Sequence, residues 1–133
     1  MSDPLTADII PAIQELQDLC YGESVRLGWH NNLKTGEPMT FEETNERFPM
    51  RIALCHSELS EALEGHRKDL MDDHLPHRKM AEVELADAVI RVFDLGGNMG
   101  YDLAGAIYDK LCYNRHRQDH KLENRKLGGG KAY

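Results

Sequence analysis

The stretch from Val83 to Leu95 constrains this chain more than any other. Val83, Leu85, Ala86, Ala88, Val89, Ile90, Val92, Phe93 and Leu95 make a helix apolar on nearly every side, the pattern of a helix surrounded by others. Glu84, Asp87, Arg91 and Asp94 interrupt it at successive offsets of three, four and three. That spacing draws one narrow stripe along a helix of period 3.6. A helix otherwise built for burial has a use for such a stripe only where it faces water, a partner or an internal cleft.

A second acid pair, Glu58 and Glu61, precedes Glu84 and Asp87 by 22 intervening residues. Helical residues three apart are surface neighbours with Cβ atoms about 5–6 Å apart, so each pair points two carboxylates one way. Taken alone, Glu58 and Glu61 fit an ordinary solvated face, the usual place of acids. The stripe in the apolar helix is what makes each pair half of a site. Should all four converge, two carboxylates about 5 Å apart at an effective dielectric near 20 repel by about 3 kcal/mol. A bound cation removes that cost, and an all-oxygen set without cysteine suits Mg²⁺ or Mn²⁺; Mg²⁺ commonly shares its shell with substrate phosphates. A di-iron carboxylate bundle would need His three residues after each Glu, where Glu61 and Asp87 stand instead. The histidines, His56 beside the acids included, carry no metal-ligand spacing and read as structural or surface residues.

No strand-like alternation occurs, and the fold class is all-α. Periodicity predicts four helical segments. The first runs from Asp8, as N-cap, to about Leu27 and is ended by Gly28. Thr40 and Glu43 have capping-box spacing, but Pro49 breaks a helix begun there, which predicts a short turn and then a second segment over about 49–68. The third is expected from Pro76, in its first turn, to about Met99, and the fourth from Asp102 onward. Trp29, the only tryptophan, opens a polar loop and has two readings: cover for the core edge, or a platform for a stacked base. Lys110 and Asn114 share a face of the fourth segment, where Lys110 on spacing alone is a solvated lysine. The basic tail ends in a glycine run with Lys131, either a disordered terminus or a flap that closes over phosphate. One domain over 1–122 with a flexible tail over 123–133 is the expected organisation.

A net charge of −7 argues against nucleic acid as the main partner, without excluding a phosphate ligand that arrives with its metal. Cys20, Cys55 and Cys112 are an odd number without ligand spacing, each in an apolar helical phase, and read as reduced core residues of a cytoplasmic protein. The acidic N-terminus, broken by Pro4 and Pro11, is no signal peptide, and no apolar run approaches the roughly 20 residues that span a bilayer, so no membrane role is expected.

In order along the chain, Ser57-Glu-Leu-Ser-Glu-Ala-Leu-Glu64, Val83-Glu-Leu-Ala-Asp-Ala-Val-Ile-Arg91, Lys110-Leu-Cys-Tyr-Asn114 and the Gly-Gly-Lys tail resemble the MazG-like branch of the all-alpha nucleoside triphosphate pyrophosphohydrolases. The likeness covers most of the chain from Trp29 onward. It implies a four-helix MazG-like bundle that works as a homodimer or homotetramer. The reaction it implies is Mg²⁺-dependent cleavage of a nucleoside triphosphate between its α and β phosphates, with Mn²⁺ as a substitute metal and monophosphate and pyrophosphate as products. By the family's pattern Glu58, Glu61, Glu84 and Asp87 hold the metal and carry the catalysis, Lys110 and Asn114 contact the nucleotide, and Trp29 lies near the base. Arg91 either reaches a phosphate or pairs with Asp87 or Asp94, and Lys131 belongs to the tail that would cover the phosphates. Two alternatives stand beside this reading: an enzyme like the related phosphoribosyl-ATP pyrophosphohydrolases, and a metal-dependent nucleotide sensor or interaction module without turnover.

Overall fold

The structure is a computed structural model that describes residues 3–133. Those residues are helical, as expected: α1 (Ile9–Arg26), α2 (Phe41–Glu46), α3 (Phe48–Arg67), α4 (Met80–Asn98), α5 (Leu103–His116), a 3₁₀ turn at Gln118–His120 and α6 (Leu122–Arg125), with two isolated β-bridges and no strand. The four expected segments correspond to α1, α3, α4 and α5, and the short α2 and α6 are additional. The chain divides into two compact units, Glu15–Tyr101 and the stretch up to Gln14 with Asp102–Tyr133, each described by itself.

In Glu15–Tyr101, helix ends are set by local chemistry. Beyond α1, Gly28 takes a positive φ of 82°, while the amides of Gly28 and Trp29 bond the carbonyls of Val25 and Ser24. That Schellman motif satisfies the last carbonyls and fixes where Trp29 and His30 leave the helix. The capping box at Thr40 and Glu43 is formed and starts a real helix, α2. Pro49 breaks nothing, because it stands in the first turn of α3, where its missing N–H leaves no bond unmade. Pro76, in contrast, does not open α4, which begins at Met80. Asp72 Oδ2 accepts from the amides of His74 and Leu75, and Asp72 and Met80 bond the carbonyls of Arg78 and Leu70, so residues 70–79 are spent on a closed turn first.

α3 and α4 pack antiparallel through small residues. A Cβ on Gly65 would stand 2.8 Å from Met80 Cβ, and Ala62 and Ala88 are buried. Cys20, Cys55, Phe93 and Leu95 complete this core, with the thiols of Cys20 and Cys55 pushed up chiefly by burial. Among the described residues no large side chain is fully buried, and α4, expected to be surrounded, leaves Leu85, Val89 and Val92 about half exposed (52%, 47% and 46%).

In the other unit, Asp102 caps α5 by accepting from the Gly105 amide, and Ala104 is fully buried. Arg115 grips Asp3 with two hydrogen bonds of 2.6 and 2.9 Å, which holds the Asp3 carboxyl down at about 2. Cys112 is half-buried. The expected 122/123 boundary falls inside α6, and beyond it Arg125 donates to the carbonyls of Lys131 and Ala132.

Candidate metal centre and its cavity

Antiparallel packing brings carboxylates of two helices together. Glu58 of α3 and Glu84 and Asp87 of α4 each offer one oxygen, all within 4.8 Å of one another. Glu58 is buried, Glu84 lies at the margin of burial at 9% exposed, and Asp87 is more open than either. Burial, then hydrogen bonding to Glu58, then the charges of Glu61, Glu58 and Asp87 push the Glu84 carboxyl up to about 7. Asp87 is raised by burial and by Glu58, against the opposing pull of Arg91. Three acids held this closely out of water are unfavourable as anions, and protons or a cation relieve them.

Glu61, the fourth acid of the expected set, lies outside this group. It is exposed, yet near enough to raise both Glu84 and Asp87. Of the two readings of Arg91, a phosphate contact or an ion pair with Asp87 or Asp94, the ion pair forms with a different acid: its Nε donates to Glu58 Oε1 at 2.6 Å. The reason is register, since α3 lies opposite this turn of α4. The same register, with Gly65 against Met80, sets Glu58 against Asp87 and, two turns along, brings Arg51 within electrostatic reach of Asp94.

Asp94 is the most firmly fixed acid of the stripe. Ser24 Oγ donates to its Oδ2 at 2.8 Å, and buried His30 meets its Oδ1 through Nε2 at 2.7 Å. Arg51 donates through Nη2 to the Trp29 carbonyl at 3.2 Å, while its buried Nε has no acceptor among the described residues. Burial lowers the Arg51 pKa, an effect opposed by Asp94 and reinforced by Arg47. Ser24, Trp29, Arg51 and Asp94 line a cavity of about 640 Å³ that also takes in Glu58 and Asp87, with Leu54, Ile90 and Arg91 between. The volume suits a small organic ligand. Trp29 is 68% exposed at this wall, so it does not cover the core.

Lys110 and Asn114 belong to the other unit. Lys110 Nζ lies 4.7 Å from the centre of the Tyr113 ring, and Asn114 lines a separate pocket with Pro4, Leu5, Ile9 and Arg115. Lys131 Nζ pairs with Asp119 at 2.6 Å. The reading of the residues missed Arg51, Ser24 and the His30–Asp94 contact. The spacing of Arg51, seven residues before Glu58 and so on the same helical face, was the signal that could have found it.

No described helix is long and apolar enough to cross a membrane. Comparison with protein-family models, with curated proteins and with solved structures gives no match for this chain.

Proposed function

We propose that this chain is a MazG-like nucleoside triphosphate pyrophosphohydrolase, dependent on Mg²⁺ with Mn²⁺ as substitute, cytoplasmic and homo-oligomeric. It cleaves the bond between the α and β phosphates of (deoxy)nucleoside triphosphates. The observation that carries the reading is the convergence of Glu58, Glu84 and Asp87, two of which, Glu58 and Asp87, line a cavity that also presents Trp29. The donor set fits the metal: three carboxylate oxygens, no sulfur, and a Glu84 carboxyl that holds its proton up to about 7 unless a cation replaces it. Glu58, Glu84 and Asp87 would hold the ion, and the chemistry it would supply when bound is neutralisation of phosphate charge.

The chain's own groups do the rest. Arg91, anchored on Glu58 and 43% exposed in its side chain, turns its remaining N–H donors to the phosphates. Glu61, exposed beside the cluster, keeps its oxygens free to take the proton of the attacking water. Trp29 stacks on the base. Lys110, Asn114 and Lys131 are assigned to the nucleotide by resemblance alone, and the half-exposed apolar face of α4 is assigned to a second copy of the chain.

A panel of nucleoside triphosphates with Mg²⁺, read by separate assays for pyrophosphate and orthophosphate, tests the reading. Pyrophosphate and monophosphate in equal amounts are expected. Nucleotide binding without turnover would instead identify a sensor, and turnover confined to phosphoribosyl-ATP would identify the related enzyme.

A further inference from the structure

The end of the cavity remote from the carboxylates is also built, and nothing in the phosphate chemistry uses it. Arg51 and Asp94 both line the cavity there, within electrostatic reach of each other but not hydrogen-bonded together, each seven residues, about 10.5 Å of helix, from Glu58 and Asp87 respectively. Asp94 is an acceptor held by two donors, Ser24 at 2.8 Å and His30 at 2.7 Å, and a carboxylate oxygen with one bond can take another. Arg51 is a donor held by the Trp29 carbonyl, with a buried Nε that has no acceptor among the described residues. A desolvated donor without an acceptor is costly. Groups fixed in this way are suited to reading a ligand's polar edge.

The chemistry of the pair narrows the ligand. The acids at the other end, with their cation and Arg91, claim the triphosphate, which leaves this end to the rest of the nucleotide. An indole face at the same wall suits a planar ring, and two turns of helix correspond roughly to the length of a nucleoside. Asp94 accepts only and requires a donor, which an exocyclic amino group supplies. Arg51 donates only and requires the ring nitrogen or carbonyl beside it. Cytosine, guanine and adenine present such an edge. Uracil and thymine, held by the sugar in the pose of cytosine, would turn O4 to the carboxylate and N3–H to the guanidinium, acceptor against acceptor and donor against donor.

We infer that Arg51 and Asp94, with Trp29, form a selectivity pocket for amino-bearing nucleobases, with Ser24 and His30 as the residues that position Asp94. The inference rests on the nucleotide reading above and deepens it. Its test reads binding rather than turnover: titration calorimetry of dCMP and dTMP, with Mn²⁺ present, into the wild-type chain, Asp94→Asn and Arg51→Gln. Thermal melting checks that each variant is folded, and Mn²⁺ affinity serves as the control for the carboxylate end. The wild-type chain is expected to bind dCMP about tenfold more tightly than dTMP, the scale of one base-reading pair. Asp94→Asn, which places a donor beside the acceptor, should bring the two nucleotides level while Mn²⁺ affinity stays put. Arg51→Gln should weaken dCMP most and serves as the test should Asp94→Asn fail to fold. Equal wild-type affinities, no binding of either nucleotide, or a folded variant that keeps the wild-type preference overturns the inference. Because no hydrolysis is required, a chain that selects dCMP but releases no pyrophosphate overturns the proposed reaction alone.

Discussion

At the scale of single residues, the account turns on carboxylates that would rather be neutral. Burial and the neighbouring acids push the Glu84 carboxyl up from the usual 4.5 to about 7, and Asp87 is raised in the same direction. A carboxyl raised in the folded state binds more protons there than in the unfolded chain, so its stabilising effect is complete below about 4.5 and is lost as pH climbs towards 7. Without divalent cation, unfolding free energy should therefore fall across that window by at most about 3 kcal/mol, reduced by solvent screening, and Glu84→Gln should flatten the slope. Denaturant titrations at several pH values read it. Mg²⁺ or Mn²⁺ acts oppositely, since it binds ionised carboxylates: it should raise the melting temperature clearly at pH 8 and hardly at pH 5. Glu61 and Asp87 should part company in the same experiments. Glu61→Gln is expected to lose turnover by at least about 100-fold, as loss of a general base does, while keeping most of its Mn²⁺ affinity. Asp87→Asn should lose both, and a Glu61→Gln variant as weak for Mn²⁺ as Asp87→Asn would return Glu61 to the ligand set.

At the scale of elements, the site depends on how closely α3 and α4 approach. Gly65 is the contact that permits it, because a Cβ there meets Met80 Cβ and Cγ at 2.8 Å and the Ala81 backbone at 3.1 Å. Gly65→Ala gains helix propensity but must push the two helices apart at the base of α4, and a net loss of about 1–3 kcal/mol is expected by chemical denaturation. Thr40→Ala should cost about 1 kcal/mol through the capping box alone. The helices themselves were legible in the sequence, since apolar periods and caps such as Asp102 are local signals. Of the acid pairs, Glu84 and Asp87 stand together as their offset of three implies, whereas Glu61 stays outside the group that Glu58 joins. Illegible features were those that depend on register between elements. Arg91 bonds Glu58 rather than an acid of its own helix, and Asp94 is claimed by Ser24 and His30 from far along the chain. The start of α4 was missed for a related reason: Pro76 is locally suited to a first turn, but Asp72 had already drawn the adjoining amides into its own turn.

At the scale of the molecule, α4 was read as surrounded, yet its own chain leaves Leu85, Val89 and Val92 about half exposed, at 52%, 47% and 46%. Leu59 and Leu63 of α3 are likewise exposed. A second copy is the proposed cover, so light scattering at micromolar concentration should report at least a dimer, and Leu85→Glu with Val89→Glu should report a monomer. A monomeric wild-type chain would remove the oligomer from the proposal. The central claim, that carboxylates from α3 and α4 form one divalent-cation site, is tested most directly by calorimetric titration of Mn²⁺ into the wild-type chain and Asp87→Asn at pH 8. The account predicts saturable binding to the wild-type chain, with affinity at least about tenfold weaker in a folded Asp87→Asn, the scale of losing one ligand. Equal affinity in the two proteins, or no saturable binding to the wild-type chain, would contradict it.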